Sequence, residues 1–186
     1  MDHRANANID ARLPLIAYRD SEALHLHCPD PKALEPLARA LAAVVRPGDV
    51  LLLHGPLGAG KTTFTQILAR ALGVGDDQYV SSPSFALLHE YQGRLPLAHM
   101  DLYRLADEVE VEEAGLLEAL AEDRLCLIEW PQRLGSLSPP ARLDIYLEPV
   151  PDGGRDVSLV GHGGDWLQRL AEVAAQLQPL SDQSPG

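Results

Sequence analysis

The sequence predicts an α/β fold in which a mixed central sheet has helices on both faces and an antiparallel hairpin at its edge. Apolar runs of strand length alternate with stretches of helical periodicity along most of the chain. One apolar run, residues 49–54, ends abruptly in a glycine-rich loop that leads into a helical repeat. Short glycine-containing turns at residues 92–94 and 151–154 each separate two extended segments and so predict hairpins.

The length of 186 residues suits one domain with a hydrophobic core. We assign residues 1–20 to a flexible leader, residues 21–178 to a single domain and residues 179–186 to a disordered tail. The apolar runs all fall short of the roughly 20 residues that cross a bilayer, and the first residues lack the pattern of a secretory signal. We therefore expect a cytoplasmic protein without membrane contact.

Two elements precede the glycine-rich loop. Residues 23–28 predict a strand, and Asp30 and Pro31 then predict a helix start, as N-cap and first helical residue. The apolar stripe of this helix consists of Leu34, Leu37, Leu41, Val44 and Val45. Pro47 and Gly48 end the helix.

Residues 55–62 match Gly-x-x-x-x-Gly-Lys-Thr, the Walker A pattern of a phosphate-binding loop (P-loop). Its glycines let backbone N–H groups close around phosphate oxygens, and the helix predicted from Lys61 to Leu72 points its positive end at the same anion. The Lys61 ammonium suits the β- and γ-phosphates, and the Thr62 hydroxyl suits Mg²⁺. The nucleotide site predicted from this loop consists of Gly55, Gly58, Ala59, Gly60, Lys61, Thr62 and Thr63.

Hydrophobic periodicity predicts the remaining elements. They are strands at residues 80–91, 95–101, 124–130, 143–148 and 155–160, and helices at residues 108–122 and 165–177. The first two of these strands form one hairpin, and the last two form a second hairpin that we place at the sheet edge. This order of elements fits a P-loop NTPase-like sheet.

Two carboxylates, Asp101 and Glu129, each close an apolar run and are expected at the carboxyl ends of strands, where ligands bind in sheets of this class. A carboxylate in that place, as in a Walker B motif, completes the ligand shell of Mg²⁺. Taken alone, either residue fits a solvated strand end equally well. Residues 81–84 are rich in hydroxyls and fit either a capped turn or a switch segment that touches Mg²⁺ or the γ-phosphate.

Charge and cysteine content exclude other classes of function. The net charge is −12, from 15 basic and 27 acidic side chains. Because adhesion to nucleic acid normally needs a basic surface, we do not expect independent RNA or DNA binding. Cys28 and Cys126 lie in separate apolar runs without metal or redox spacing, which predicts buried, reduced thiols.

Four motifs, in their order and spacing, resemble the TsaE (YjeE) family. They are Gly55–Thr63, Ser82–Phe85, His99–Leu105 and Cys126–Pro131. The resemblance covers residues 24–160 and implies an ATP-binding subunit required for threonylcarbamoyl modification of tRNA adenosine. It further implies a Mg²⁺-dependent ATPase, weak alone and activated in a complex, that switches the transferase TsaD and its partner TsaB. The protein would meet tRNA only through that complex.

The resemblance also implies roles for single residues. Lys61 and Thr62 would hold phosphate and Mg²⁺, and Glu129 would be a magnesium ligand. Asp101 would support hydrolysis through a water molecule. The remaining nucleotide contacts implied by the resemblance are Ser84, Trp130 and Arg155. Ser84 departs from the usual Thr of the family but keeps the hydroxyl.

A small-molecule kinase built on the same P-loop is the alternative function. A kinase needs an acceptor pocket and usually basic lid residues that clamp the transferred phosphoryl group. The segment that could serve as a lid, residues 106–122, is strongly acidic and suits a partner surface better. A nucleotide-binding module without turnover is a third possibility, and it differs only in whether Asp101 and Glu129 support hydrolysis.

Overall fold

A computed structural model describes residues 15–19, 23–121 and 123–177 of the chain. The strands are β1 Leu15–Arg19, β2 Ala23–Cys28, β3 Val50–His54, β4 Leu88–Gln92, β5 Pro96–Asp101, β6 Leu125–Glu129, β7 Arg142–Pro149 and β8 Arg155–His162. The helices are α1 Leu34–Val44, α2 Lys61–Ala71, α3 Glu108–Glu113, α4 Leu117–Ala121 and α5 Trp166–Leu177, with 3₁₀ helices at Pro31–Ala33 and Pro131–Leu137. Among the described residues, no helix is long and apolar enough to cross a membrane.

The strands of the described residues form one eight-stranded sheet in the order β1-β2-β8-β7-β3-β6-β5-β4. Strand β3 lies between β7 and β6 and is parallel to both, and β6 is also parallel to β5. The other pairings are antiparallel. The predicted fold class is therefore confirmed, and β4–β5 is an antiparallel hairpin at one edge of the sheet.

The central strand β3 is buried on both faces. Leu51 and Leu53 pack with α1, α2 and α5, whereas Val50 and Leu52 pack with α3, α4 and the second 3₁₀ helix. Burial on both faces explains why the run before the P-loop is continuously apolar. Shortening one of these leucines to Ala would lower the free energy of unfolding by about 2–5 kcal/mol. The packing of β3 thus fixes the position of the loop that follows it.

Aspartate side chains cap the first 3₁₀ helix and α3, and a glycine divides one predicted helix. Asp30 accepts a hydrogen bond from the Ala33 N–H at 3.0 Å, as its predicted N-cap role requires, and the short 3₁₀ helix there leads into α1. Asp107 caps α3 in the same way. The single helix predicted at residues 108–122 is wrong, because Gly115 adopts a φ of +71° and separates α3 from α4.

The predicted edge position of the second hairpin is also wrong. Strand β7 pairs with β3 and β8 pairs with β2, so this hairpin lies inside the sheet, whose edges are β1 and β4. Strand β1, Leu15–Arg19, also corrects the flexible leader predicted for residues 1–20. Residues 1–14 and the predicted tail at 179–186 lie outside the described residues. Pairing between distant strands leaves no trace in the periodicity of either strand.

The strand predicted at residues 80–91 begins only at Leu88. Leu87 is in the left-handed region with a φ of 66°, and its N–H donates to the Pro83 carbonyl. The chain therefore bends back on itself before it enters β4. This bend holds the hydroxyl-rich residues 81–84 out of the sheet and beside the ends of β5 and β6.

Candidate functional site

The P-loop connects β3 to α2, and glycine is favoured at two of its positions for different reasons. Gly55 has a φ of +153°, and a Cβ there would lie 2.6 Å from the Leu147 carbonyl oxygen, a backbone atom. Gly60 has a φ of +101°, in the region that favours glycine, and the guanidinium of Arg155 lies where its Cβ would be. The loop thus packs against the sheet at Gly55 and lies beside Arg155 at Gly60.

A cavity of about 440 Å³ lies in front of the loop and collects most of the predicted site. The residues that line it are Leu57, Gly58, Gly60, Lys61, Thr62, Thr63, Ser82, Ser84, Asp101, Tyr103, Arg104, Glu129 and Trp130. Three predicted contacts do not line it. Ala59 is fully buried, Gly55 presents its carbonyl to Lys61, and Arg155 lies behind Gly60.

Lys61 is held by the loop itself. Its ammonium donates to the carbonyl oxygens of Gly55 at 2.8 Å and Pro56 at 2.9 Å, and lies 4.1 Å from the centre of the Trp130 ring. Burial lowers the pKa of Lys61, while the negative charges of Glu129 and Asp101 oppose that shift. The neighbouring carboxylates thus favour the charged ammonium that a phosphate would need.

Glu129 joins α2 to the sheet. Its Oε1 accepts hydrogen bonds from the Thr62 hydroxyl at 2.8 Å and from His99 Nε2 at 2.9 Å. Glu129 is 3% exposed, and His99 is completely buried. Because Thr62 uses its hydrogen for Glu129, the oxygen of its hydroxyl keeps lone pairs for a cation.

Asp101 lies beside Glu129, since the two are register partners on β5 and β6. Its two oxygens have separate partners. One accepts from the Ser82 hydroxyl, and the other accepts from the Tyr103 backbone N–H at 3.0 Å. Asp101 is 5% exposed, so this carboxylate is held in one orientation at the cavity wall.

Aromatic rings form the rim of the cavity. The rings of Tyr103 and Trp130 lie 4.9 Å apart, and the guanidinium of Arg104 lies 3.9 Å from the centre of the Phe85 ring. Phe85 is 83% exposed. Trp130 adopts a left-handed backbone conformation with a φ of 59°, which turns the chain at the end of β6.

The side-chain oxygens at the cavity fit a Mg²⁺ ion that is bound together with phosphate. They do not form a complete metal site made of protein ligands alone. The oxygens of Thr62 and Glu129 are hard ligands of the kind that Mg²⁺ prefers, and the Asp101 carboxylate lies beside them. Among the described residues there is no group of three or more His, Cys, Asp or Glu side chains that could hold a metal ion. Magnesium typically takes one or two protein oxygens and completes its shell with phosphate and water, which agrees with this arrangement.

Sequence reasoning missed five residues of the site. Ser82 was placed in the hydroxyl-rich segment without a contact, and Leu57, Tyr103, Arg104 and His99 had no assigned role. The alternation His99-Met100-Asp101 carries a usable signal, because residues two apart on a strand share a face. That spacing places His99 directly below the strand end where Asp101 and Glu129 meet.

Comparison with known proteins connects this site to one family. The family model for "Threonylcarbamoyl adenosine biosynthesis protein TsaE" matches residues 28–157, which include every site residue described above. The tRNA threonylcarbamoyladenosine biosynthesis protein TsaE of Bacillus subtilis is 41% identical over 146 residues, covering 78% of this chain and 90% of the relative. The TsaE protein of Treponema pallidum is 41% identical over 112 residues, covering 60% and 82%. Among solved structures, Bacillus subtilis YdiB superposes with a TM-score of 0.73 and 32% identity, covering 87% of this chain and 100% of YdiB.

Proposed function

The chain belongs to the TsaE family of threonylcarbamoyl adenosine biosynthesis proteins, and we propose that it acts there as a Mg²⁺-dependent ATPase that switches a transferase. The transferase would be TsaD with its partner TsaB, and tRNA would be reached only through that complex. One observation carries this proposal. A single cavity brings together the P-loop residues Lys61 and Thr62 and the two strand-end carboxylates Asp101 and Glu129.

The P-loop residues bind the nucleotide in this proposal. Lys61 exchanges its contacts with the Gly55 and Pro56 carbonyls for contacts with phosphate oxygens, which are stronger acceptors because they are charged. The N-terminus of α2 adds its backbone N–H groups and dipole. Thr62 and Glu129 would hold Mg²⁺, which would neutralise charge on the phosphates.

Asp101 has the role in hydrolysis, apart from the residues that bind phosphate and Mg²⁺. Among the described residues, its side chain makes no hydrogen bond to Lys61 or Thr62. It faces the cavity with one oxygen on Ser82 and the other on a backbone N–H. A carboxylate fixed in this way can orient an attacking water molecule. This assignment makes Asp101 a catalytic residue for hydrolysis.

The link between Asp101 and residues 81–87 supports a switch. Ser82 bonds to the Asp101 side chain, and the Asp101 N–H donates to the Leu87 carbonyl at 3.1 Å. A change around the γ-phosphate therefore reaches an irregular surface segment directly, as in other nucleotide switches. The exposed Phe85 lies in that segment, where a partner protein could detect the change.

The kinase alternative has less support. Apart from Lys61, Arg104 is the one basic residue among those described as lining the cavity. Its guanidinium lies on the Phe85 ring at the rim. A clamp for a transferred phosphoryl group needs several cations around it, whereas α3, in the segment that could serve as a lid, has four glutamates among its six residues.

Phosphate release from ATP by the purified protein tests the proposal. We expect slow release with Mg²⁺, no release with EDTA, and faster release after TsaD and TsaB are added. A kinase would instead move the phosphoryl group to a small molecule, and radiolabelled ATP would show that product. Absence of phosphate release both alone and with TsaD and TsaB would contradict the proposed activity.

A further inference from the structure

His99 is a buried side chain whose polar surroundings are reduced to one contact. It lies in the middle of β5, has no solvent exposure, and places Nε2 2.9 Å from Glu129 Oε1. Its other ring nitrogen, Nδ1, is buried and has no hydrogen-bond partner among the described residues. Burying a polar ring costs free energy unless its hydrogen bonds are made, so the bond to Glu129 is the feature that accounts for a histidine here.

The chemistry of the pair fixes the direction of this bond. A carboxylate only accepts hydrogen bonds, so Nε2 of His99 carries the hydrogen and donates it. Thr62 donates to the same oxygen at 2.8 Å. Glu129 Oε1 therefore has two donors, one on α2 and one on β5, while no hydrogen bond between described residues involves Oε2.

Two donors on one oxygen hold the carboxylate against rotation. Without His99, Glu129 would keep only the Thr62 bond, and Thr62 is itself expected to bind the cation. We propose that His99 is a positioning residue that holds the Glu129 carboxylate in the orientation in which its Oε2 would be available to Mg²⁺, an inference that rests on the proposed function. Groups behind a metal ligand that orient it in this way typically change metal affinity 10–100-fold when they are removed.

The test compares two polar substitutions of His99 that differ by one methylene. The amide nitrogen of Gln is as many bonds from Cα as Nε2 of His, so His99→Gln keeps a donor for Glu129. The amide nitrogen of Asn matches Nδ1 instead, so His99→Asn loses that donor. Calorimetry gives the affinity for ADP in EDTA and in MgCl₂, and the ratio of the two affinities measures the contribution of the metal.

We expect all three proteins to bind ADP in EDTA within about twofold of one another, since His99 does not touch the nucleotide. The gain in affinity on adding MgCl₂ should fall about tenfold in His99→Asn and be largely kept in His99→Gln. If His99→Asn does not fold, His99→Leu removes the donor without leaving a polar group buried and should show the same loss.

Three results would overturn the inference, and each has a different meaning. A wild-type gain retained in both His99→Asn and His99→Leu would reject the role of His99 and leave the proposed function standing. If the His99 variants lose as much ADP affinity in EDTA as in MgCl₂, His99 only supports the fold. If the wild-type protein itself shows no gain with MgCl₂, the proposed metal site fails and the inference fails with it.

Discussion

Asp101 and Glu129 are direct neighbours on parallel strands, yet their side chains have different partners. Glu129 accepts from Thr62 and His99, whereas Asp101 accepts from Ser82 and a backbone N–H. Two acidic groups in different surroundings commonly divide the tasks of a site. On this basis we propose that the metal is bound by Glu129, whose side chain contacts the P-loop helix, and that the water molecule is oriented by Asp101, whose side chain contacts the loop at residues 81–87.

Replacing Lys61 should remove most of the affinity for nucleotide. A hydrogen bond to a charged group contributes about 1.5–3 kcal/mol, so Lys61→Ala should weaken ADP binding roughly 10–100-fold by calorimetry. Lys32 is the only other lysine in the sequence, and it is exposed and lies outside the cavity. Lys32→Ala is therefore a matched control that should bind ADP normally. Normal binding by Lys61→Ala would reject the site.

Replacing Asp101 should separate binding from hydrolysis. Asp101→Asn keeps the shape of the side chain but cannot take up a proton or hold a water molecule as a carboxylate does. Turnover of ATP should fall about 100-fold, while ADP affinity should change less than about threefold. Asp76→Asn, on an exposed loop, is the control and should hydrolyse ATP normally. An Asp101→Asn protein with wild-type turnover would remove Asp101 from the mechanism.

Gly55 and Gly58 should differ in their tolerance of a methyl group. Both have a positive φ, which disfavours alanine at either position, but only a Cβ at Gly55 meets backbone, the Leu147 carbonyl oxygen at 2.6 Å. In urea unfolding without nucleotide, Gly55→Ala should therefore lower the free energy of unfolding more than Gly58→Ala does. Equal effects of the two alanines would contradict the contact.

The two cysteines should be unreactive in the folded protein. Burial raises the pKa of Cys28 to about 12 and that of Cys126 to about 11, although nearby arginines oppose both shifts. Since the thiolate is the reactive form, a raised pKa leaves little of it at pH 8. Labelling with a disulfide reagent should be slow at pH 8 and rapid for both thiols in urea. Rapid labelling of the folded protein would show that a thiol is exposed.

The site was predictable from sequence where chemistry is local to the chain. The P-loop and α2 follow from the spacing of glycines and of apolar residues, and α2 ends one residue before the predicted Leu72. Asp101 and Glu129 were predictable because each ends an apolar strand. The contact between His99 and Glu129 was not predictable in the same way, because it depends on which strands are neighbours.

The fold was least predictable where tertiary contacts override local pattern. Residues 80–87 have strand-like composition, but Pro83 and the left-handed Leu87 hold them in a bend over the site. The hairpin of β7 and β8 alternates like an edge hairpin, yet β2 pairs with its outer strand. These are pairings over long sequence separations, which periodicity within one segment does not contain.

Analysis of tRNA nucleosides tests the central claim, that an ATP-driven switch supports threonylcarbamoyladenosine formation. The protein would be depleted from the cells that make it, and their tRNA analysed by mass spectrometry. We predict that threonylcarbamoyladenosine is lost, that wild-type protein and Lys32→Ala restore it, and that Lys61→Ala does not. An unchanged amount of the modified nucleoside after depletion, or full restoration by Lys61→Ala, would contradict the claim.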